Sequence, residues 1–471
     1  MPLLLRCCLF VFLTGVLPVR SAEPAPNFVV INIDDMGYAD IEPFGSKLNR
    51  TPNLIRMAQE GTKLTCFYAA PVCSPSRAAL MTGCYPKRVL PIKTVLFPAD
   101  GIGLNPQEKT IAELLHDQGY ATACIGKWHL GDQPEFLPTK QGFDTYYGIP
   151  YSNDMGPVAD GARSNLGEPL KDPAKIPANA PKHPPLPLLR NEKVVGRVRA
   201  QEQTELVAHY TEEAVKFIRE NKAKKFFLYL PHNAVHFPIY PGKAFQGKSH
   251  NGNYGDWVEE VDWSVGQVLD TLRELGLSSK TLVLFTSDNG GTQRAVNTPL
   301  RGGKTTTFEG GMRVPTIVWW PGKIPAGASV DAITSMMDVL PTFAKLAGSK
   351  VPTDRKIDGK DFWPILTGQQ KEPNYDTFYF YYGLQLQAVR QGDWKLHLAK
   401  GELYNLASDI GEKQNVAADH ADIVAQLQSA VEKADSDLGR EGVGPGVRPP
   451  GKNENPQPII APAGKVRDGF E

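Results

Sequence analysis

Short, strongly apolar runs alternate along the chain with longer stretches in which apolar residues recur at helical spacing. The apolar runs are continuous, which is typical of strands buried on both faces of a parallel sheet. The stretches between them have the period of helices with one buried face. This order predicts an α/β fold with a large, mostly parallel, mixed sheet flanked by helices. The clearest strands are NFVVINID (27–34), ATACIGKWH (121–129), KFFLYLPH (225–232), TLVLFTSDNG (281–290) and VPTIVWW (314–320).

Four of these strands end in polar residues that are able to take part in chemistry. In an open α/β sheet, ligands bind at the carboxyl ends of the strands. We therefore expect the four strand ends to form one site. They carry Asp34 and Asp35, Lys127 to His129, His232 to His236, and Asp288 and Asn289.

Changes in pattern and composition divide the chain into segments. Residues 23–375 hold the strand and helix alternation and form the predicted main domain. Residues 376–440 have the pattern of an antiparallel meander followed by a helix, which predicts a smaller C-terminal subdomain. Residues 441–471 are rich in Pro and Gly and are expected to form a loosely ordered tail. Within the main domain, the Pro- and Gly-rich stretch 157–200 is expected to be a long irregular insertion at the surface.

The first residues are typical of a secretory signal peptide. An apolar core follows the basic Arg6, and small residues stand at Ser21 and Ala22. An uncleaved membrane anchor is the alternative, but the apolar run is short for a bilayer span. We expect residues 1–22 to be removed on export to the periplasm or the extracellular space. No membrane span is expected in the mature chain.

Charge and cysteine content narrow the possible functions. Lys plus Arg and Asp plus Glu both number 51, so no overall field would gather nucleic acid or an anionic membrane. Two of the six cysteines, Cys7 and Cys8, would leave with the signal peptide. If Cys73 is reserved for chemistry, the other three allow at most one bridge, which is no disulfide framework for this length. The four that remain in the mature chain are Cys66, Cys73, Cys84 and Cys124.

Two acidic pairs suggest a metal site. Asp34 and Asp35 follow one strand, and Asp288 and Asn289 follow another. Three carboxylates and an amide oxygen, with no histidine beside either pair in the sequence, suit a hard cation such as Ca²⁺ or Mg²⁺. Each pair alone could equally be a turn former or a helix cap. The two pairs together favour the metal.

The stretch CSPSR places Cys73 at a predicted helix start. Pro75 is tolerated in a first helical turn, where backbone N–H groups and the helix dipole favour a negative ligand. Cys73 has three interpretations on these grounds: a buried structural residue, a thiolate nucleophile or a modified residue. A phosphatase-type loop would need five residues between Cys and Arg, whereas Arg77 stands four positions after Cys73.

Cys-x-Pro-x-Arg is the motif of the sulfatase family, in which the cysteine is oxidised to formylglycine. Further segments resemble arylsulfatase A-like members of that family in the same order, over essentially all of residues 26 to about 437. These segments are GKWHLG (126–131), GIPYSNDMGP (148–157), FFLYLPHNAVHFP (226–238), FTSDNGG (285–291), LRGGKTTTFEGGMRVP (300–315) and GDWKLHLAKGELYNLASDIGE (392–412).

The resemblance implies an alkaline phosphatase-like fold and arylsulfatase-type hydrolysis of sulfate monoesters. It also implies a Ca²⁺ ion that contacts both the modified Cys73 and a sulfate oxygen. Positive charge near the sulfate offsets the repulsion that its oxygens exert on a nucleophile. The implied calcium ligands are Asp34, Asp35, Cys73, Asp288 and Asn289.

The remaining site residues take their roles from the same resemblance. Lys127 and Lys304 would neutralise the sulfate, and Ser152 would lie near it. Arg77, one helical turn from Cys73, would hold the modified residue and offset the carboxylates.

The implied mechanism uses both hydroxyls of hydrated formylglycine. One attacks sulfur while the alcohol leaves, and the other lets the resulting hemiacetal collapse and release sulfate. His129 matches the family's base, and His236 matches the acid that protonates the leaving alcohol. His232 is a second candidate for that acid, although a lone histidine at a strand end is more often structural.

Two other functions stay open beside the sulfatase interpretation. One is a formylglycine-dependent phosphonate or phosphate ester hydrolase. The other is a non-catalytic binder of sulfated glycans, which would have lost a residue that only catalysis needs; none of the matching residues departs from the motif. A sulfated carbohydrate is the expected physiological substrate, although a small sulfated molecule also fits. A formylglycine-generating maturation enzyme is the implied protein partner, and no pattern indicates an oligomeric state.

Overall fold

The structure is a computed structural model that describes residues 25–177 and 182–471. The predicted signal peptide, residues 1–22, lies outside the described residues. The strands of the described part are, in chain order, β1 (Asn27–Ile33), β2 (Thr62–Tyr68), β3 (Ile102–Gly103), β4 (Ala121–Ile125), β5 (Thr145–Gly148), β6 (Pro187–Arg190), β7 (Lys193–Arg197), β8 (Phe226–Pro231), β9 (Thr281–Ser287), β10 (Arg313–Trp319), β11 (Ala328–Val330), β12 (Thr334–Ser335), β13 (Phe378–Tyr382), β14 (Gln385–Gln391), β15 (Trp394–His397), β16 (Glu402–Asn405) and β17 (Gly451–Lys452).

A large mixed sheet crosses the main domain. Its strand order is β11-β2-β10-β9-β1-β8-β4-β5-β6-β7, with β12 also paired to β2. The central strands β9, β1, β8, β4 and β5 are mutually parallel, whereas β10, β6 and β7 pair antiparallel. All five strands predicted from the apolar runs belong to this sheet. The predicted fold class, a mostly parallel mixed sheet flanked by helices, is confirmed.

The helices of the described residues lie on both faces of this sheet and beside the C-terminal strands. They are α1 (Pro52–Glu60), α2 (Cys73–Thr82), α3 (Pro86–Val89), α4 (Ile111–His116), α5 (Ala200–Gln203), α6 (Leu206–Glu220), α7 (Gly252–Glu274), α8 (Glu309–Met312), α9 (Val339–Leu346), α10 (Trp363–Leu366) and α11 (Ala421–Asp437).

Alternate residues of β1 enter two separate hydrophobic cores. Phe28 and Val30 pack with side chains of α2, α4 and α9. Val29 and Ile31 pack on the other face with α1, α6 and α7. A strand buried on both faces needs apolar residues at every position, which explains the unbroken apolar runs in the sequence.

A separate antiparallel sheet, ordered β13-β14-β15-β16, lies at the C-terminal end with α11 beside it. Its residues Phe378 and Phe380 belong to the same hydrophobic core as α2. The small sheet therefore packs against the face of the main domain that carries Cys73.

Residues after α11 are packed against the main domain. β17 pairs with β3, and Ile459, Ile460 and Phe470 are buried. Arg448 forms an ion pair with Glu108 at 2.6 Å. The expectation of a loosely ordered tail over 441–471 thus differs from the structure, because these apolar residues find partners far away in the sequence.

The insertion 157–200 is less irregular than its composition suggests. Its described residues include β6 and β7, a hairpin that extends the main sheet beyond β5.

Cys66, Cys73, Cys84 and Cys124 are all buried and free. No helix in residues 25–177 or 182–471 is long and apolar enough to span a bilayer.

Candidate active site

The four polar strand ends meet at one edge of the main sheet. β9, β1, β8 and β4 are neighbours in that order and run parallel, so their carboxyl ends lie side by side. The backbone continues this order past the strands, since Asp288 N donates to Ile33 O at 2.8 Å and Lys127 N donates to Pro231 O at 2.7 Å. The convergence expected from the sequence is what the structure contains.

The two acidic pairs form one buried cluster. Asp34 and Asp288 are fully buried and Asp35 is 2% exposed. Asp35 N donates to Asp288 Oδ1 at 3.3 Å, and Asn289 Nδ2 donates to Asp35 Oδ1 at 2.7 Å. Asn289 Oδ1 is buried and accepts no hydrogen bond within the described residues. An oxygen without a partner beside three carboxylates is suited to a cation.

The loop after β1 is held by Asp40, which the sequence analysis did not single out. Its carboxylate accepts hydrogen bonds from Gly37 N at 2.7 Å, from Val296 N at 2.9 Å and from Tyr254 Oη at 2.5 Å. Burial raises the pKa of Asp40 to about 6, even though these hydrogen bonds lower it. A Cβ at Gly37 would come within 2.7 Å of Val296 O, so this close approach requires glycine. The spacing of Gly37 and Asp40 in DDMGYAD was the available signal.

Cys73 begins α2, as predicted, and points into the acidic cluster. Its thiol donates to Asp34 Oδ1 at 3.2 Å, and Lys304 Nζ lies 3.5 Å from its Sγ. Burial raises the pKa of the Cys73 thiol well above its usual range, and Asp288 and Asp34 raise it further. An unmodified Cys73 is therefore a protonated thiol, which argues against the thiolate nucleophile considered above.

The start of α2 is fixed by its own serines. Ser76 Oγ donates to Ala70 O at 3.0 Å and accepts from Ala70 N at 2.9 Å. Ser74 Oγ accepts from Leu96 N at 3.2 Å. These bonds fix the approach to the helix and hence the position of Cys73.

Arg77 lies one turn further along α2, fully buried beneath the cluster. Its Nε and Nη2 donate to Asp288 Oδ2 at 3.1 and 2.8 Å, and Nη2 is 3.5 Å from Asp34 Oδ2. Its Nη1 donates to the carbonyl of Lys127. Arg77 thus offsets part of the negative charge of two carboxylates and ties α2 to the end of β4.

Lys127, Ser152 and His236 form a chain of polar contacts along one side of the cluster. Lys127 Nζ donates to Asp34 and, at 3.1 Å, to Ser152 Oγ. Ser152 Oγ is 3.4 Å from His236 Nδ1, and His236 Nε2 is 3.6 Å from Asp35 Oδ2. No histidine is adjacent to the acidic pairs in the sequence, but the fold brings His236 to Asp35 because β8 is the neighbour of β1.

Lys304 contacts the cluster at Asp35 and Cys73. Its Nζ is 2.6 Å from Asp35 Oδ1, and its side chain is 15% exposed. Burial would raise the pKa of Asp34, but Lys127, His236 and Arg77 outweigh that effect and hold it well below its usual range. Asp34 therefore stays ionised beside Lys127, whereas burial and the neighbouring Asp34 raise the pKa of Asp288 to about 6.

His129 has one protonated and one free ring nitrogen. Its Nε2 lies 2.9 Å from Leu96 O, and since a carbonyl only accepts, Nε2 carries the proton. Nδ1 is buried and has no hydrogen-bond partner within the described residues. Burial lowers the pKa of His129 well below its usual range, and Lys127 and Arg77 lower it further, so the ring is neutral. A neutral ring with a free Nδ1 is able to accept a proton.

His232 lies apart from these contacts. Its Nε2 is 3.1 Å from Ser264 Oγ on α7, and its ring lies against Tyr210. Burial lowers the pKa of His232 to about 3. These surroundings are those of a structural histidine.

Asp154, two residues after Ser152, is a further charged residue near the cluster that the sequence analysis missed. Burial would raise its pKa, but His236 and Lys127 lower it below the usual range. Its Oδ2 is 3.5 Å from Arg163 Nη1.

Within the described residues, four side chains present atoms within 4.8 Å of one another that could hold a metal ion: Asp34, Asp35, Cys73 and His236.

The mixed, mostly parallel sheet with a buried, charged site at its carboxyl edge has the arrangement of an alkaline phosphatase-like fold. The sulfatase family profile matches residues 26–349, and the profile described as N-sulphoglucosamine sulphohydrolase, C-terminal, matches residues 303–437. The chain belongs to the sulfatase family and is a sulfuric ester hydrolase. The resemblance drawn from the sequence motifs is confirmed.

Individual relatives agree with this assignment. N-acetylgalactosamine-6-sulfatase of Sus scrofa is 40% identical over 410 residues, which cover 81% of this chain and 73% of the relative. Steryl-sulfatase of Mus musculus is 38% identical over 436 residues, which cover 79% and 70%. The crystal structure of Ps i-CgsB in complex with k-i-k-neocarrahexaose superposes with a TM-score of 0.72 at 32% identity, covering 87% of this chain and 92% of that chain.

Proposed function

We propose that this sulfatase hydrolyses sulfate monoesters of carbohydrates with a formylglycine nucleophile derived from Cys73 and with a bound Ca²⁺ ion. The observation that carries the proposal is the position of Cys73. Its Sγ lies at the first turn of a buried helix, between a carboxylate of the acidic cluster and the ammonium group of Lys304.

The calcium ion would be held by Asp34, Asp35, Asp288 and Asn289, together with the modified Cys73. Oxygen ligands with several negative charges suit a hard cation, and the buried, unpartnered Asn289 Oδ1 supports the fit. When bound, Ca²⁺ neutralises charge on the sulfate and polarises an S–O bond.

Two lysines and a serine would orient the sulfate group. Lys127 contacts Asp34 and Lys304 contacts Asp35, so their ammonium groups would bind separate sulfate oxygens. Ser152, between Lys127 and His236, would donate to a third oxygen or to the ester oxygen. Arg77 would stay bound to Asp288 and keep the nucleophile's helix in place.

Proton transfer would be divided between two histidines. Hydrated formylglycine supplies one hydroxyl that attacks sulfur and a second whose deprotonation releases sulfate. His129 Nδ1, which has a free lone pair, would accept a proton from these hydroxyls. His236, partly exposed beside Asp35, would give a proton to the leaving alcohol.

A carbohydrate substrate is supported by the names of similar proteins. One relative is named for N-acetylgalactosamine 6-sulfate, and Ps i-CgsB was crystallised with neocarrahexaose. Steryl sulfates are the second candidate because another relative is a steryl-sulfatase. Export by way of the signal peptide at residues 1–22 and activation by a formylglycine-generating enzyme belong to the same proposal.

The test compares wild type with Cys73→Ser, each co-expressed with a maturation enzyme and loaded with Ca²⁺. Wild type should turn over sulfated sugars faster than sulfated sterols and much faster than matched phosphonate esters. Cys73→Ser should lose turnover with an unchanged far-UV circular dichroism spectrum. Most of the sulfatase activity remaining in Cys73→Ser would refute the nucleophile. A preference for phosphonates would favour the phosphonate hydrolase instead.

A further inference from the structure

Between the buried Leu300 and the partly buried Phe308, the segment that carries Lys304 has no apolar side chain to anchor it. We call residues 300–309 the Lys304 loop. Arg301, Gly302 and Thr305 are exposed, and Lys304 itself is only partly buried. Near its middle the loop is held by two backbone hydrogen bonds, from Lys304 N to Gly291 O at 3.1 Å and from Thr305 N to Pro71 O at 2.9 Å. The ends of the loop must be fixed elsewhere if the Lys304 ammonium group is to stay in place.

Glu412 of the C-terminal subdomain binds both ends of the Lys304 loop. Its carboxylate Oε2 accepts from Glu309 N at 2.7 Å, and its carbonyl oxygen accepts from Arg301 Nη1 at 2.7 Å. The Arg301 guanidinium also lies 4.1 Å from the ring centre of Phe308. One residue thus fixes the first and the last turn of the loop.

Glu412 is unusual in both its burial and its backbone conformation. It is fully buried, and its φ of 49° lies in the left-handed region that few non-glycine residues adopt. A strained backbone conformation of this kind persists where the contacts of the surrounding structure hold the residue in place.

Two residues of β15 hold the Glu412 carboxylate. Lys395 Nζ is 3.1 Å and His397 Nε2 is 2.7 Å from its Oε1. Lys395 also donates to Glu309 Oε1 at 2.8 Å, so the same ammonium group bridges the subdomain and the end of the loop. Lys395 and Glu412 are both fully buried, and buried charge pairs of this kind break only at a large cost in free energy.

We infer that Glu412 is a positioning residue through which the C-terminal subdomain holds Lys304 at the sulfate site. The inference rests on the proposed function in so far as Lys304 binds sulfate. A displacement of about 1 Å in a positioning group is able to lower a rate about 100-fold. Loss of Glu412 therefore acts on catalysis through Lys304, in addition to any effect on stability.

The first test measures hydrogen exchange of peptides that cover 300–309 in wild type, Glu412→Ala and Asp437→Ala. Asp437 is the matched control, because it is an acidic residue of the same subdomain that pairs with Arg88 at 2.7 Å and with Lys356. None of its described hydrogen bonds reaches the Lys304 loop. Exchange in these peptides should accelerate in Glu412→Ala and stay at the wild-type rate in Asp437→Ala. Equal protection in wild type and Glu412→Ala would overturn the inference.

Glu412→Gln provides the conservative variant. Its single side-chain oxygen is able to accept from Glu309 N, but its NH2 group then faces Lys395 and His397, so it should restore only part of the protection that Glu412→Ala loses. If Glu412→Gln exchanged as fast as Glu412→Ala, the hydrogen bond to Glu309 would not be what holds the loop. The Gln variant also keeps the test usable if Glu412→Ala does not fold.

A double-mutant cycle with Lys304→Ala tests whether Glu412 acts through Lys304. In the wild-type background Glu412→Ala should lower kcat/KM for an aryl sulfate by about tenfold or more. In the Lys304→Ala background the same change should cost less than about twofold. Fully additive losses would overturn the inference. If wild type fails to hydrolyse any sulfate ester, the proposed function fails, while the exchange experiment still decides the role of Glu412.

Discussion

At the scale of single residues, the site is a balance between buried carboxylates and the cations around them. Asp34, Asp35 and Asp288 are almost fully shielded from solvent, and Arg77, Lys127 and Lys304 each contact one or two of them. Removing one member leaves a buried charge without its partner, which costs more than the pair contributes. Each substitution in the cluster should therefore change both stability and function.

Asp288→Asn tests this balance. The change keeps the size of the side chain but removes the charge that faces Arg77. It should weaken Ca²⁺ binding in calorimetry. Without calcium it should raise the free energy of unfolding, because burial and Asp34 raise the pKa of Asp288 to about 6, so that its charged form is disfavoured in the folded protein at neutral pH. The same two measurements on Asp361→Asn, whose carboxylate pairs with the exposed Lys345, should differ from wild type by less than about 1 kcal/mol. Wild-type calcium affinity in Asp288→Asn would contradict the assigned ligand set.

Two buried histidines provide a second matched comparison. His129→Asn should lower kcat about 10²–10⁴-fold, because it removes the free Nδ1 that accepts a proton in the proposed mechanism. His232→Asn should keep kcat within about threefold, because the His232 ring bonds to Ser264 of α7 and not to a residue of the acidic cluster. Single-turnover kinetics at saturating substrate separate the two. A larger loss in His232→Asn than in His129→Asn would reverse their assigned roles.

At the scale of elements, α7 carries a carboxyl group, Glu260, whose ionisation lowers the free energy of unfolding as the pH rises. Burial raises the pKa of Glu260 from 4.5 to about 8, although Gly242 N donates to it at 2.7 Å and lowers it. Between these pH values the folded state binds more protons than the unfolded state. Stability should therefore fall by about 1.4 kcal/mol per pH unit from this group alone as the pH rises through the range.

Glu260→Gln should remove this dependence. Relative to wild type, the variant should gain stability steadily between pH 5 and 8, as followed by urea unfolding. Other carboxyl groups with a raised pKa, such as Asp338, contribute equally to the stability of both proteins. Their contributions cancel in the difference between variant and wild type. A difference in stability that does not change with pH would show that Glu260 ionises normally in the folded protein.

The strands that could be predicted are those whose apolar pattern depends only on their own residues. β1, β4, β8, β9 and β10 are buried on both faces, so their continuous apolar runs reveal them without any knowledge of their neighbours. Their order in the sheet placed the acidic pairs together, because parallel strands bring their carboxyl ends to one edge.

Features that depend on distant partners could not be predicted in this way. β17 is two residues long and is a strand only because β3 is beside it. Asp40 and Glu412 act through hydrogen bonds to segments far away in the sequence. The sequence around a carboxylate in a loop does not indicate which residue donates to it. His236 reaches Asp35 through the neighbouring positions of β8 and β1, which spacing along the chain does not reveal.

At the scale of the whole molecule, residues after 440 complete the surface of the main domain. A chain that ends at Arg440 would expose the sites now covered by Ile459, Ile460 and Phe470 and would leave Glu108 without Arg448. Each buried apolar side chain contributes about 1.5–3 kcal/mol, so the truncation should lower the urea midpoint clearly. Lys465→Ala, at an exposed position, should leave the midpoint unchanged. A truncated protein as stable as wild type would mean that this segment does not pack in solution.

The central claim is that Cys73 is converted to formylglycine, and mass spectrometry of the peptide from Leu64 to Arg77 tests it most directly. The protein should come from its native host or from co-expression with a maturation enzyme, and aldehydes should be trapped with a hydrazine reagent. The account predicts a trapped aldehyde at Cys73 in the wild type and none in Cys73→Ser. An intact thiol at Cys73 in a preparation that hydrolyses sulfate esters would contradict it.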